Sequence, residues 1–196
     1  MNVMTLTLDV PESFETERLL IRSPRPGDGP EFNAAILDSL PGLRQWLGLY
    51  LDGAPTATDS EAFVRERHAQ FLLRENFMLL GFDKATGAMV VSSGLHKPNW
   101  RVPSFEIGYW CRTPYQGQGY VTEAVRGIAD FAVRVFHARR LVIMCDVKNT
   151  ASANVARRAG FELEGTLRCD GHNVIGALCD SYLFARIQRD GPANGD

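Results

Sequence analysis

A glycine-rich turn joins an apolar strand to an amphipathic helix, and this succession restricts the fold more than any other feature of the chain. The turn is the stretch PYQGQGYVTEAV, residues 114–125. It follows the apolar run VPSFEIGYWCR and precedes apolar residues spaced three and four apart as far as Phe136. Such spacing is typical of a helix with one buried face. A strand, a turn and a helix in this order predict a mixed α/β domain.

The remaining segments alternate between helix-like and strand-like patterns. A short strand is predicted to end near Arg22, and a turn at DKATG predicts a hairpin of two apolar runs. RRLVIMCDV, FELEGTLR and ALCDSYLFARI predict further strands, so that about seven strands are flanked by helices. The first predicted helix begins at Asp28 or Gly29. A second, capped by Asp59 or Ser60, runs to Asn76, and a third runs from Tyr120 to about Phe136. A fourth covers NTASANVARRAG and stops at Gly160.

The length and composition predict one domain that remains in the cytoplasm. The 196 residues fit a single domain over 1–196, with its core in 15–187 and a frayed tail at 189–196. A net charge of -2 gives no basic field for nucleic acid or acidic lipid. The N-terminus lacks the pattern of a secretory signal, and no apolar run reaches the length of a membrane span.

Cysteine and histidine spacing points away from disulfides and metal sites. The four cysteines form no Cys-x-x-Cys pair, which favours reduced thiols in a cytoplasmic protein. The four histidines have no spacing typical of metal ligands, so no metal is predicted.

The turn itself is a candidate anion site, because backbone N–H groups at a helix N-terminus favour negative charge. A P-loop is excluded, since no lysine or glycine follows at the required spacing. A dinucleotide fingerprint fits poorly, because Thr122 occupies the third glycine position and the unit begins past the middle of the chain. An ordinary turn that uses Gly117 and Gly119 for their conformational freedom stays open.

Further residues around this turn resemble the GNAT superfamily of acyl-CoA N-acyltransferases. QGQGYV matches the family signature Arg/Gln-x-x-Gly-x-Gly/Ala at Gln116 and Gly119 and departs from it at Val121. IGYWCRTPYQGQGYVTEAV, NTASANVARRAGF and LEGTLR are similar in order and spacing to the RimJ/RimL-type branch of ribosomal-protein N-terminal acetyltransferases. ETERLLIRSPRPGD and DSLPGLRQWLGL resemble that branch's opening strand and first helices, so the resemblance covers roughly residues 15–187.

The resemblance implies a GNAT fold, an α/β (α+β) architecture whose mostly antiparallel sheet has one splayed parallel strand pair that holds acetyl-CoA. The pantetheine arm would bond to backbone groups of Trp110, Cys111 and Arg112. The pyrophosphate would lie on the N–H groups of the turn. The residues of that turn are Gln116, Gly117, Gln118, Gly119, Tyr120, Val121 and Thr122.

Two polar residues open the next predicted helix and have two interpretations. Asn149 and Ser152 are typical helix caps. The resemblance implies instead that Asn149 contacts the pantetheine and that Ser152 gives a proton to the leaving thiolate, and both interpretations can hold together. Asn154 is a further candidate on the cofactor side.

Two carboxylates are candidate proton acceptors. Strand alternation places Glu106 on the face opposite Phe105 and Ile107, where it either meets the acceptor amine or serves as a structural carboxylate. Asp170 is nearest to an acidic residue that some relatives carry between their last strands, although the local pattern CDGHNVIGALCDS departs from theirs.

The leading hypothesis is an N-acetyltransferase that acts on the α-amine of a protein N-terminus, with ribosomal proteins as the family precedent. A small-molecule amine such as an amino acid, polyamine or antibiotic is the alternative acceptor. A non-catalytic acyl-CoA sensor is the alternative from another class. Neither nucleic acid nor membrane is an expected partner, and a homodimer stays open because the sequence does not fix the oligomeric state.

Overall fold

The computed structural model describes residues 6–189, and its strands lie in a single sheet. The eight strands are β1 (Ser13–Glu15), β2 (Leu19–Arg22), β3 (Phe77–Asp83), β4 (Met89–Asn99), β5 (Ser104–Cys111), β6 (Arg140–Asp146), β7 (Glu162–His172) and β8 (Leu178–Ile187). Across the sheet they follow the order β1-β2-β3-β4-β5-β6-β8-β7.

The helices are α1 (Gly29–Leu47), α2 (Ala57–Leu72), α3 (Tyr120–Phe136) and α4 (Thr150–Arg158). They cover both faces of the sheet because the buried strands carry apolar side chains on both sides. On one face, α1 and part of α2 form a core with Met78, Leu80 and Met89. On the other face, α3 and α4 form the larger core with side chains such as Leu79 and Ile107.

Among the strand pairs of residues 6–189, only β5 and β6 run parallel, and they separate after three residues. Ser104–Glu106 pairs with Arg140–Val142, and the pairing stops there. Beyond that point β5 stays paired with β4 as far as Cys111, whereas β6 stays paired with β8 as far as Asp146. The two strands therefore diverge and leave a V-shaped cleft in the middle of the sheet.

Most predicted elements are confirmed, and two differ from expectation. The eighth strand, β1, was missed because three residues give too short a pattern for periodicity to detect. The second helix begins after Thr56, not at Asp59 or Ser60, because Thr56 and Asp59 form a reciprocal capping box. That helix ends at Leu72, before the predicted Asn76.

Most of the predicted tail at 189–196 lies outside the described residues. The single domain over 1–196 stays a prediction. No helix in the described part of the chain is long and apolar enough to cross a membrane.

Candidate active site

The cleft between β5 and β6 opens into a cavity of about 1690 Å³. Its walls include Ile107–Cys111 of β5, residues 143–146 of β6, the glycine turn and the start of α4. Clefts for ordinary small ligands enclose roughly 300–1,000 Å³, so this cavity accommodates a longer molecule.

The register of β5 decides which of its backbone groups face the cleft. The Arg112 N–H bonds the carbonyl of Val90 at 2.9 Å. Because antiparallel pairs alternate, Trp110 also directs its backbone groups toward β4, while Tyr109 and Cys111 direct theirs toward the cleft. The side-chain amide of Gln116 lies 3.5 Å from the Cys111 carbonyl. Tyr109 and Cys111 are thus the positions whose backbone can bond a ligand there.

The side chains of the three predicted β5 contacts point to different surroundings. Trp110 and Cys111 line the cavity, and Trp110 also packs 6.0 Å from Phe32 of α1. Burial raises the pKa of Cys111 to about 11, so its thiol stays protonated at neutral pH. The Arg112 guanidinium turns away from the cleft and pairs with Glu31 at 2.8 Å and Asp38 at 2.7 Å. It ties α1 to the end of β5.

The glycine turn presents uncapped N–H groups to the cavity. Gly117 and Gly119 have φ values of 74° and 85°, which side chains rarely tolerate. Gly119 is the N-cap of α3 and has no side chain to cover the N–H groups of the first helical turn. The N–H of Gln116 is already bonded to Thr113 at 3.1 Å. The free part of the anion site therefore begins at Gly117 and runs to Thr122.

Arg18 adds a positive charge beside this turn, which sequence analysis missed. Its guanidinium donates to the Gln118 carbonyl at 3.0 Å and lies over the Tyr120 ring at 4.3 Å. Glu123 holds it at 2.7 Å. Although burial opposes ionisation of Glu123, hydrogen bonds from Thr16 and Arg18 lower the pKa of its carboxyl. No local signal identifies Arg18, because it lies about 100 residues from the turn.

The start of α4 carries a helix cap, and its polar side chains line the cavity. The side-chain Oδ1 of Asn149 accepts the Ser152 backbone N–H at 3.0 Å, which is a helix cap. The hydroxyl of Ser152 is separate from this cap, and Asn149, Ser152 and Asn154 all line the cavity. Asn154 also accepts a 3.3 Å bond from Arg157.

Tyr109 joins Ser152 in a small polar cluster that the sequence analysis did not foresee. The Tyr109 hydroxyl lies 3.0 Å from both the carbonyl oxygen and the Oγ of Ser152. Burial raises the pKa of Tyr109 to about 12, so the hydroxyl remains a proton-bearing donor at neutral pH. Cys145 is a third member: burial raises the pKa of its thiol, and a hydrogen bond to Ser152 partly opposes that change. The only available signal for Tyr109 was its place in IGYW, next to Trp110.

The two candidate proton acceptors lie in different places. Glu106 lines the cavity, and its side chain is 25% exposed and paired with Lys97 at 2.7 Å. It shares a strand face with Trp110, the face toward α1, whereas Tyr109 belongs to the opposite core. Asp170 is exposed on β7 and lines neither this cavity nor the next.

A second cavity of about 590 Å³ adjoins the first. Its walls come from the end of α1, the segment after it, the end of β6 and the hairpin between β7 and β8. The two cavities share the residues Gln45, Trp46, Leu47, Met144, Cys145 and Asp146. The cleft is therefore approached through two connected spaces.

Residues 18–162 match the acetyltransferase (GNAT) domain model, which is most of the chain. The chain belongs to the GNAT acetyltransferase family. The matched range contains the divergent strand pair, the glycine turn and α4, which form the larger cavity. The protein is accordingly an acetyltransferase whose acyl donor is acetyl-CoA.

Similar proteins agree with the RimJ/RimL-type branch. The ribosomal-protein-serine acetyltransferase of Escherichia coli (strain K12) is 40% identical over 82 residues, 42% of this chain and less than half, 45%, of that protein. The putative ribosomal N-acetyltransferase YdaF of Bacillus subtilis (strain 168) is 26% identical over 89% of this chain and 93% of its own length. A solved structure of RimL, a ribosomal L7/L12 alpha-N-protein acetyltransferase in complex with coenzyme A, superposes with a TM-score of 0.79 at 25% identity, covering 91% of this chain and 97% of that one.

Acetyl-CoA fits the residues that line the larger cavity. A pyrophosphate requires unpaired N–H groups, which the uncapped start of α3 supplies. A pantetheine arm requires exposed backbone donors and acceptors, which Tyr109 and Cys111 supply where β6 diverges. The guanidinium of Arg18 beside the turn further favours a phosphate-bearing ligand.

Proposed function

We propose that this acetyltransferase acts on the α-amine of a protein N-terminus. The observation that carries the proposal is the placement of a carboxylate and a hydroxyl pair on opposite faces of the cleft. Glu106 lies on the α1 face, while Tyr109 and Ser152 lie on the α3 and α4 face. A proton can therefore leave the attacking amine on one face while another reaches the leaving sulfur on the other.

The larger cavity holds the acyl donor in this proposal. Bound acetyl-CoA supplies an activated acetyl thioester. The N–H groups from Gly117 to Thr122 bind the pyrophosphate, with Arg18 adding charge. Tyr109 and Cys111, joined by Asn149 and Asn154, contact the pantetheine and the adjoining part of the cofactor. The Trp110 side chain forms the wall, and Arg112 fixes the wall to α1.

Glu106 accepts the proton of the acceptor amine, directly or through water. Its carboxylate is held in place by Lys97, whose ammonium group lies 2.7 Å away. An unperturbed α-amine has a pKa of about 8, whereas a lysine amine has one of about 10.4. At pH 7 a larger fraction of an N-terminal amine is already neutral, so it depends less on a carboxylate to remove its proton.

Ser152 donates the proton that the leaving sulfur requires and takes one back from solvent in the open cavity, and Tyr109 positions its hydroxyl. The hydroxyl of Tyr109 keeps its own proton at neutral pH and donates it to the Ser152 backbone carbonyl at 3.0 Å. The same hydroxyl lies 3.0 Å from Ser152 Oγ, so it holds both the backbone and the hydroxyl of Ser152 in place beside the cleft. Asp170 has no part in this scheme, because it is exposed outside both cavities.

The names of the relatives support a protein acceptor, since the Escherichia coli and Bacillus subtilis proteins are both named for ribosomal proteins. The test offers the purified protein acetyl-CoA with peptides that carry a free α-amine and an internal lysine. A parallel set contains polyamines and free amino acids, and mass spectrometry locates each acetyl group. Acetylation of the peptide α-amine alone is expected. Turnover of a small amine with every peptide inert would overturn the proposed acceptor and leave the family unchanged.

A further inference from the structure

Exposed apolar side chains concentrate on two segments that lie far apart in the sequence. One is residues 46–51, at the end of α1 and after it, and the other is 174–178, between β7 and β8. Large exposed apolar side chains that cluster on a surface mark a binding site more often than scattered ones do. We name this cluster the apolar rim, and its members are Trp46, Leu47, Leu49, Leu51, Val174, Ile175 and Leu178.

The apolar rim surrounds the mouth of the second cavity. Trp46, Leu47, Leu51 and Val174 line that cavity directly. The two segments also meet across it, since a methyl group placed on Gly48 would lie 3.8 Å from Val174. The rim therefore continues without interruption into the space that reaches Met144–Asp146 and the catalytic cleft.

The second cavity has a carboxylate and no lysine or arginine among the described residues that line it. The carboxylate is that of Asp146, at the junction with the larger cavity, and one of its oxygens accepts the Lys148 backbone N–H at 2.7 Å. The imidazole of His172 lines the cavity on the β7 side. An ammonium group is favoured near Asp146, whereas a carboxylate on the incoming chain would find no lysine or arginine there.

We propose that the acceptor is a protein N-terminus whose residues immediately after the reacting amine are apolar, and that the apolar rim binds them. This inference rests on the proposed function. An extended chain advances about 3.3 Å per residue, so the second and third residues occupy the second cavity when the amine reaches the cleft. Burial of their side chains against the rim supplies the affinity, and the carboxylate of Asp146 favours the cationic end of the chain.

A matched peptide series tests the inference. The peptides share their first residue and differ only at positions two and three, which are apolar, acidic or basic. We expect kcat/KM for the apolar peptide to exceed that for the acidic one by about 10-fold or more, because one well-placed apolar contact can change kcat/KM by that factor. Equal kcat/KM values across the series would overturn the rim's role and leave the proposed function intact. Failure of every peptide while a small amine reacts would instead contradict the proposed function.

Two rim variants and a control locate the effect. Leu51→Glu and Val174→Glu place a charge in the second cavity only, since neither residue lines the larger one. Each is expected to raise KM for the apolar peptide about 10-fold, to leave the dissociation constant of acetyl-CoA unchanged, and to improve turnover of the basic peptide. Leu73→Glu is the matched control, because Leu73 is 45% exposed and lines neither cavity.

The same variants separate a peptide from a second copy of the chain. Light scattering is measured for the wild-type protein and for Leu51→Glu. An unchanged mass together with the raised KM supports the proposal. A dimer that dissociates in the variant while KM stays constant would overturn it and assign the rim to an interface between copies.

Discussion

The two sides of the cleft are built in different ways. The cofactor side is contributed largely by one continuous stretch, from β5 through the turn and α3 to α4, and it offers mainly backbone groups. The proposed acceptor side joins segments 46–51 and 171–179, which are distant in the chain, and it offers side chains. Backbone groups bind the same ligand whatever the neighbouring side chains are, whereas side chains set selectivity. The composition of the cofactor side is therefore set by a single ligand, whereas the side chains of the proposed acceptor side can differ to suit the acceptor.

The largest expected effect comes from Gly119→Val on the cofactor side. The substitution strains a backbone with φ of 85° and covers the N–H groups at the start of α3. Calorimetry should find acetyl-CoA affinity reduced at least about 100-fold, or ~2.7 kcal/mol. Gly87→Val is the control, because Gly87 has a similar φ of 75° in the β3–β4 turn, away from the cavity. Equal affinity in a folded Gly119→Val protein would contradict the anion site.

Glu106→Gln tests whether the carboxylate on the α1 face of the larger cavity takes the proton of the acceptor amine. We expect kcat/KM for an N-terminal peptide to fall about 100-fold at pH 7, as removal of a general base does. The loss should shrink as pH rises past about 8, because more of the α-amine is then neutral without help. Acetyl-CoA affinity should stay unchanged. Lys97→Met is the control, since it keeps the carboxylate and removes only the ion pair. Equal losses at pH 7 and pH 9 would show that Glu106 acts in another way.

Tyr109→Phe is expected to have a smaller effect, on turnover and not on binding. We expect kcat to fall about 10-fold, because Ser152 loses the hydrogen bond that orients its hydroxyl. The dissociation constant of acetyl-CoA should change less than about twofold, or ~0.4 kcal/mol. In a Ser152→Ala background the same substitution should cost little more, since the two hydroxyls act as one unit. Additive losses in the double variant would assign Tyr109 a separate function.

The smallest expected effect is that of Arg18→Met. It removes a charge beside the turn but leaves the backbone N–H groups in place, so acetyl-CoA affinity should fall about fivefold, or ~1 kcal/mol, at low salt. The loss of acetyl-CoA affinity should be smaller at high salt, where exposed charges are screened. Arg25→Met provides the comparison, because Arg25 is exposed and its ion pair with Glu12 is long, at 3.8 Å. A salt-independent loss would point to packing on Tyr120 instead of charge.

Local patterns in the sequence sufficed for the glycine turn, the helix after it and the cap of α4. The helix from Tyr120 to Phe136, the glycines before it and the polar cap of α4 are each recorded within one short segment. Their physical basis is local: a helix period, a positive φ and an orphan N–H group require no distant partner. The GNAT resemblance followed from these segments and was confirmed by the family match.

Only the tertiary structure decided which segments distant in the sequence are in contact and which groups face the cleft. The register of β5 on β4 selected Tyr109 and Cys111, not Trp110 and Arg112, as the positions with backbone groups open to the cleft. An ion pair with Glu123 of α3 brings Arg18 to the turn, and Asp170 lies outside both cavities. The apolar rim likewise exists only once the end of α1 meets the β7–β8 hairpin. Pairing register and the packing of remote elements depend on interactions across the whole sheet, which no local pattern in the sequence records.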